Sequence, residues 1–158
     1  MRAKRVCQRG LDFSKPHLKV TREYYAKYQA VSTILDHTPE LVDLVHRDMG
    51  KTLRNVNREG RRRGRPYSYT SEHVLRILIS HVLEGDSLRG IVVRVDDSNF
   101  LRRFVRIDDG PMMCYTTLCN LKNAVRTDTW KAVNRRLAEY AVRSEMIGGD
   151  KLRLDTTA

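Results

Sequence analysis

Leu118, Leu121 and Val125 recur at helical spacing on one side of the segment 116–126, while Cys119, Lys122, Asn123 and Arg126 fall on another at i, i+3, i+4 and i+7. A helix with one buried face and donor-rich side chains opposite it is a shape that the major groove of double-stranded DNA admits. Lysine and arginine can donate to guanine O6 and N7, and asparagine can bond adenine in two places. Lys122, Asn123, Arg126 and the neighbouring Asn120 are therefore candidate base-reading residues. The same residue types also cover ordinary solvent-facing helices, so the spacing alone leaves both readings open.

A second candidate is basic. Across residues 58–66, Arg-Glu-Gly-Arg-Arg-Arg-Gly-Arg-Pro loses all apolar periodicity and includes two glycines and a proline, which makes it a linker. Arg61, Arg62, Arg63 and Arg65 are candidate DNA contacts. Arg63-Gly64-Arg65-Pro66 resembles the core of an AT-hook, in which glycine permits close backbone approach to a narrow minor groove and the arginines follow its negative potential. Arg62 stands where an AT-hook usually has proline, and a solvated linker touching phosphates loosely is the alternative.

The third is a carboxylate. Residues 151–158, Lys-Leu-Arg-Leu-Asp-Thr-Thr-Ala, alternate polar and apolar side chains like a β-strand and place Asp155 near its end. An extended segment needs a partner strand for its backbone groups, and the chain as given supplies none downstream. The expectation is the first strand of a sheet-based domain that this chain does not contain. Taken alone, Asp155 reads first as an ordinary polar residue.

Several ordered blocks carry a family resemblance: Asp97-Ser98-Asn99-Phe100-Leu101-Arg102-Arg103-Phe104, Gly110-Pro111-Met112-Met113, the stretch Thr116-Thr117-Leu118-Cys119-Asn120-Leu121-Lys122-Asn123-Ala124, and Leu154-Asp155-Thr156-Thr157. Over residues 67–158 the chain resembles the junction in bacterial insertion-sequence transposases between an InsH-type helical N-terminal domain and an RNase H-like DDE catalytic domain. The resemblance implies that Asp155 is the first of three catalytic, metal-binding carboxylates. In a complete enzyme these hold two divalent ions, usually Mg2+, which activate the nucleophile and stabilise the leaving oxygen of a phosphodiester. The family's other two carboxylates lie well downstream. The chain as given is thus expected to hold no cofactor and to be catalytically silent.

Charge narrows the partner. Residues 1–65 hold 16 Lys and Arg against 7 Asp and Glu, a net of +9, while residues 66–158 hold 14 against 12, a net of +2. A local basic surplus suits a polyanion, because each neutralised phosphate releases counterions. Anionic membrane is the competing partner, but the densest basic stretch lacks an apolar face to bury in lipid. The longest aliphatic runs, Ile77-Leu78-Ile79 and Ile91-Val92-Val93, are far below the roughly 20 residues that span a bilayer. Cys7, Cys114 and Cys119 are odd in number and form no CxxC pair, which points to reduced thiols, and the basic N-terminus lacks a secretory core. The expectation is a cytoplasmic, nucleoid-associated protein without a zinc site; the five histidines read as interior or surface residues.

The elements that position these residues read as mainly α. Residues 1–20 form a basic arm. Residues 21–57 form a helical hairpin, with Tyr24, Tyr28, Val31 and Leu35 on one stripe, Thr38-Pro39 opening the second helix, and Leu41, Val45, Met49, Leu53 and Val56 on its face. After the linker, residues 67–149 read as the InsH-type helical domain. Within it, Ser71 caps a helix with Val74, Leu75, Leu78, Ile79, Val82 and Leu83 inward, and Asp86 or Ser87 caps the next. Ser98 begins a short segment with Phe100, Leu101 and Phe104 inward, and residues 108–111 form a turn. The helix over 116–126 completes a helix-turn-helix-like unit, and a long helix over 127–145 is anchored by Trp130. Residues 150–158 begin the missing domain.

Two classes of function follow. One is the DNA-binding and assembly region of a transposase, which recognises terminal inverted repeats and has further copies or a full-length transposase as partners. The other is a non-enzymatic DNA-binding protein that represses transposition or transcription from the same ends. A helical interaction domain with merely solubilising charge is a third.

Overall fold

The computed structural model describes residues 18–59, 69–107 and 110–143, with the backbone alone over 51–59. Among these residues the regular structure is helical: α1 (Lys19–His37), α2 (Pro39–Glu59), α3 (Ser71–Glu84), α4 (Leu88–Asp97), α5 (Asn99–Val105), α6 (Tyr115–Ala124) and α7 (Thr127–Arg143). The linker expected over 58–66 thus begins inside α2, and Arg61, Arg62, Arg63 and Arg65 lie outside the described residues. So do most of the arm, the last two residues of the helix expected over 127–145, and the whole of residues 150–158 with Asp155.

Local chemistry explains where the helices start and stop. Pro39 opens α2, where its missing N–H would have no helical partner. The Thr38 hydroxyl turns back to donate to the Ile34 carbonyl at 2.7 Å, closing α1 rather than capping α2. Thr70, one residue before the expected Ser71, caps α3: its hydroxyl accepts from the His73 N–H at 3.2 Å while its own N–H donates to His73 Nδ1 at 3.2 Å. Ser71 is left to bond His46 of α2 at 2.8 Å. Gly85 closes α3 at φ 66°, a conformation open to glycine at little cost. Ser87 caps α4 and Ser98 caps α5, each accepting a backbone N–H, at 3.0 and 3.3 Å.

Helix α3 is the centre of the bundle, packing against α2, α4, α5 and α6. Over Ser71–Leu78 every residue is buried, including Glu72, His73 and Arg76. This differs from the expected one-sided stripe, since a helix enclosed by neighbours has no solvent face to leave polar. Val82, expected inward, is 75% exposed. One core joins α1 and α2 to the helices after residue 69, with Tyr28, Leu35, Val45, Met49, Leu75, Phe104, Leu118 and Val133 all in it. The stretches expected on either side of the basic linker therefore share their apolar interior.

Two charged pairs sit within that interior. Arg76, fully buried, donates from Nε to Glu72 Oε1 at 3.1 Å, from Nη2 to Asp36 Oδ1 at 2.9 Å, and from Nη1 to Ser32 and the Phe104 carbonyl. Arg106 bonds the same two carboxylates at 2.7 and 2.6 Å. The four side chains bind α1, α3 and the end of α5 into one piece. Arg106 is also left-handed, at φ 66°, a conformation that costs a non-glycine residue about 1–2 kcal/mol. Next to this network, Tyr24, Tyr25 and Tyr28 of α1 pack on Phe100 of α5, with Tyr25 stacked on it at 4.1 Å, and Tyr28 meets Phe104 edge-on. Burial pushes the Tyr28 hydroxyl well above the usual tyrosine range, and its hydrogen bond to Glu84 pushes it further.

Candidate nucleic-acid interface

Helix α6 follows the extended Cys114 and buries Leu118 and Leu121. At about 100° per residue, Thr116, Asn120 and Asn123 point away from that buried side, and all three are exposed. Cys119 lies beside them, half-buried, and receives a hydrogen bond from the Asn123 amide at 3.7 Å. Of the residues expected to read DNA, Asn120 and Asn123 thus share an open, apolar-free strip with Thr116.

Lys122 and Arg126 stand elsewhere. Lys122 is half-buried on the flank of α6 and lines a cleft with Trp130 and Asn134 of α7. The helix ends at Ala124 rather than at residue 126, because Val125 takes an extended conformation and buries its side chain. Arg126 therefore lies in the turn before α7, where its backbone N–H and its Nε both donate to Asp48 of α2 at 3.2 Å. Thr129 adds a third bond to the same carboxylate at 2.5 Å. Burial pushes the Asp48 carboxyl upward, but the bonds from Thr129 and Arg126 outweigh it and hold the group below its usual range. Arg126 fastens the α6–α7 turn to α2, with its side chain 65% exposed beyond that anchor.

Two residues without a sequence signal join the surface. Arg89, in the first turn of α4, lays its guanidinium over the Tyr115 ring at 4.5 Å, at the start of α6. A hydrogen bond from Arg89 draws the Tyr115 hydroxyl below its usual range, and one from Thr116 adds to it. The Cys114 thiol is likewise lowered, chiefly by its contact with the Thr117 hydroxyl at 3.2 Å. Residues 89 and 115 are too far apart in the chain for any periodicity to pair them.

No family model, curated protein or solved structure matches this chain. The likeness to insertion-sequence transposases accordingly rests on the sequence blocks that carry it. Among the described residues, no group of three or more His, Cys, Asp or Glu is placed to hold a metal ion. Asp155, Arg61, Arg62, Arg63 and Arg65 lie outside the described residues. Within the described residues, no helix is long and apolar enough to cross a membrane.

Proposed function

We propose that this chain binds double-stranded DNA through the outward strip of α6, as the DNA-binding region of an insertion-sequence transposase recognising terminal inverted repeats. The observation that carries the reading is the strip itself: Thr116, Asn120 and Asn123 are exposed together on a short helix whose opposite side is locked into the core. Its side chains offer both donors and acceptors to base edges. Arg89, held against Tyr115, adds a cation at the margin. Helices α4 and α5 precede α6 as short supporting elements, in the manner of a helix-turn-helix unit. The +9 surplus of residues 1–65 supplies sequence-independent attraction, and the transposase likeness supplies the kind of site.

On this reading Asn120 and Asn123 specify, whereas Arg61, Arg62, Arg63 and Arg65 position. The test is selection of preferred duplexes from a random pool, followed by anisotropy titrations of the winning duplex and a scrambled one. Asn123→Ala should lower the preference between them by about 5- to 100-fold, the value of a bidentate bond to a base edge. Replacing the four arginines by alanine should weaken binding to both duplexes alike and make the salt slope shallower by roughly one for each phosphate no longer neutralised. Absence of salt-sensitive DNA binding would overturn the reading in favour of a helical interaction domain.

A further inference from the structure

A cleft of about 500 Å³ opens between α1, α3 and α7. Its walls are apolar, built from Val31 and Ile34 of α1, Leu78 and Val82 of α3, and Trp130 and Leu137 of α7. The polar groups among the described lining residues are His81, Lys122 and Asn134, and none of those residues is acidic. His81 Nδ1 is buried without a hydrogen-bond partner. The size falls within the roughly 300–1,000 Å³ of small-molecule sites, and the composition, apolar walls with a few convergent polar groups, matches theirs.

We infer that this cleft binds an amphiphilic monocarboxylate, a ligand with an apolar chain or ring and one anionic head. The apolar body covers wall side chains such as Val82, which is 75% exposed among the described residues, and so gains the free energy of removing that surface from solvent. The carboxylate meets Lys122, with Asn134 able to donate a second hydrogen bond. A cationic amphiphile would meet the Lys122 ammonium with no acid among the described lining residues to compensate, so the charge of the cleft selects the head group. Because Lys122 belongs to α6, an occupied cleft would also bear on the helix proposed to face DNA. The ligand site itself does not depend on that proposal.

Trp130 is the only tryptophan in the chain and lines the cleft, so its emission reports occupancy directly. The whole chain is titrated, without DNA, with decanoate, decanol and decyltrimethylammonium below their aggregation limits. Decanoate should shift the emission saturably to the blue, with affinity greater than that of decanol and far greater than that of the cation. Lys122→Gln, at a half-buried surface position, should weaken decanoate about tenfold and leave decanol unchanged. Ala138→Phe, which fills the cleft, should abolish the response to both, with far-UV circular dichroism verifying the fold of each variant. No saturable shift, equal binding of the cation, or an unaltered decanoate affinity in Lys122→Gln would each overturn the inference. So would an emission shift that depends on protein concentration alone, which would assign the cleft to a second copy.

Discussion

At the scale of single residues, Asp48 and Arg76 hold more of the structure than their polarity suggests. Asp48 accepts three bonds at the α6–α7 turn, and Asp48→Asn keeps the shape but removes the charge that those donors favour. The expected loss is about 1–3 kcal/mol at pH 7, read from urea unfolding midpoints. Because the folded carboxyl is held low, the unfolded chain takes up its proton first as pH falls. The Asp48 contribution is thus complete above the unfolded value of about 3.9 and is lost as pH drops through the folded value. Wild type and Asp48→Asn should therefore converge in stability as the pH falls below the unfolded carboxyl value; a gap that stays constant would refute this account. Arg76→Met leaves Glu72 and Asp36 with only Arg106, and thermal melts should show a loss of about 3–5 kcal/mol.

At the scale of elements, the helix boundaries follow from side chains within a few residues of each end. Thr70→Ala removes one half of the reciprocal cap at α3 and should cost about 1 kcal/mol in denaturant unfolding, with α3 still formed because its packing persists. A helix-to-coil collapse of the whole bundle would show that the cap matters far more than its local bonds. Local character is also why these ends were readable. Ser87 and Ser98 stand where a cap is needed, Gly85 where a left-handed residue is needed, and Pro39 where an N–H is dispensable. The apolar stripe of α6 was equally visible at Leu118 and Leu121. Its polar strip was legible only in part. Asn120 and Asn123 face outward as the period requires, but Val125 leaves the helix and takes Arg126 with it. An extended residue at that point breaks the angular sum on which i+7 counting depends.

At the scale of the molecule, charge and packing have separate roles. The basic surplus resides in residues 1–65, whereas the strip on α6 belongs to the nearly balanced part. Affinity and selectivity for DNA should therefore respond to different variables. Raising salt from about 50 to about 200 mM should weaken binding to preferred and scrambled duplexes by a similar factor, leaving their ratio nearly unchanged. A ratio that collapses with salt would mean that the asparagines contribute no base reading. Mechanical support for the strip comes from the shared core: α2 reaches the α6–α7 turn and α7 through Asp48, and α1 reaches α3 and the end of α5 through Asp36. Changes far from α6 can thus loosen it.

Apolar spacing, caps and turn residues by themselves determined a mainly helical chain and most of its helix limits, because each depends on neighbours three or four positions away. Composition likewise determined where the positive charge is concentrated. Only the tertiary structure decided that Arg76 is interior, that Arg126 serves Asp48 across 78 residues, that Arg89 covers Tyr115, and that Lys122 faces a cleft instead of the open strip. The reason is physical: a helical period states which side chains share a face, but not which faces meet. Burial makes each ionic group take whatever partner the packing brings within reach.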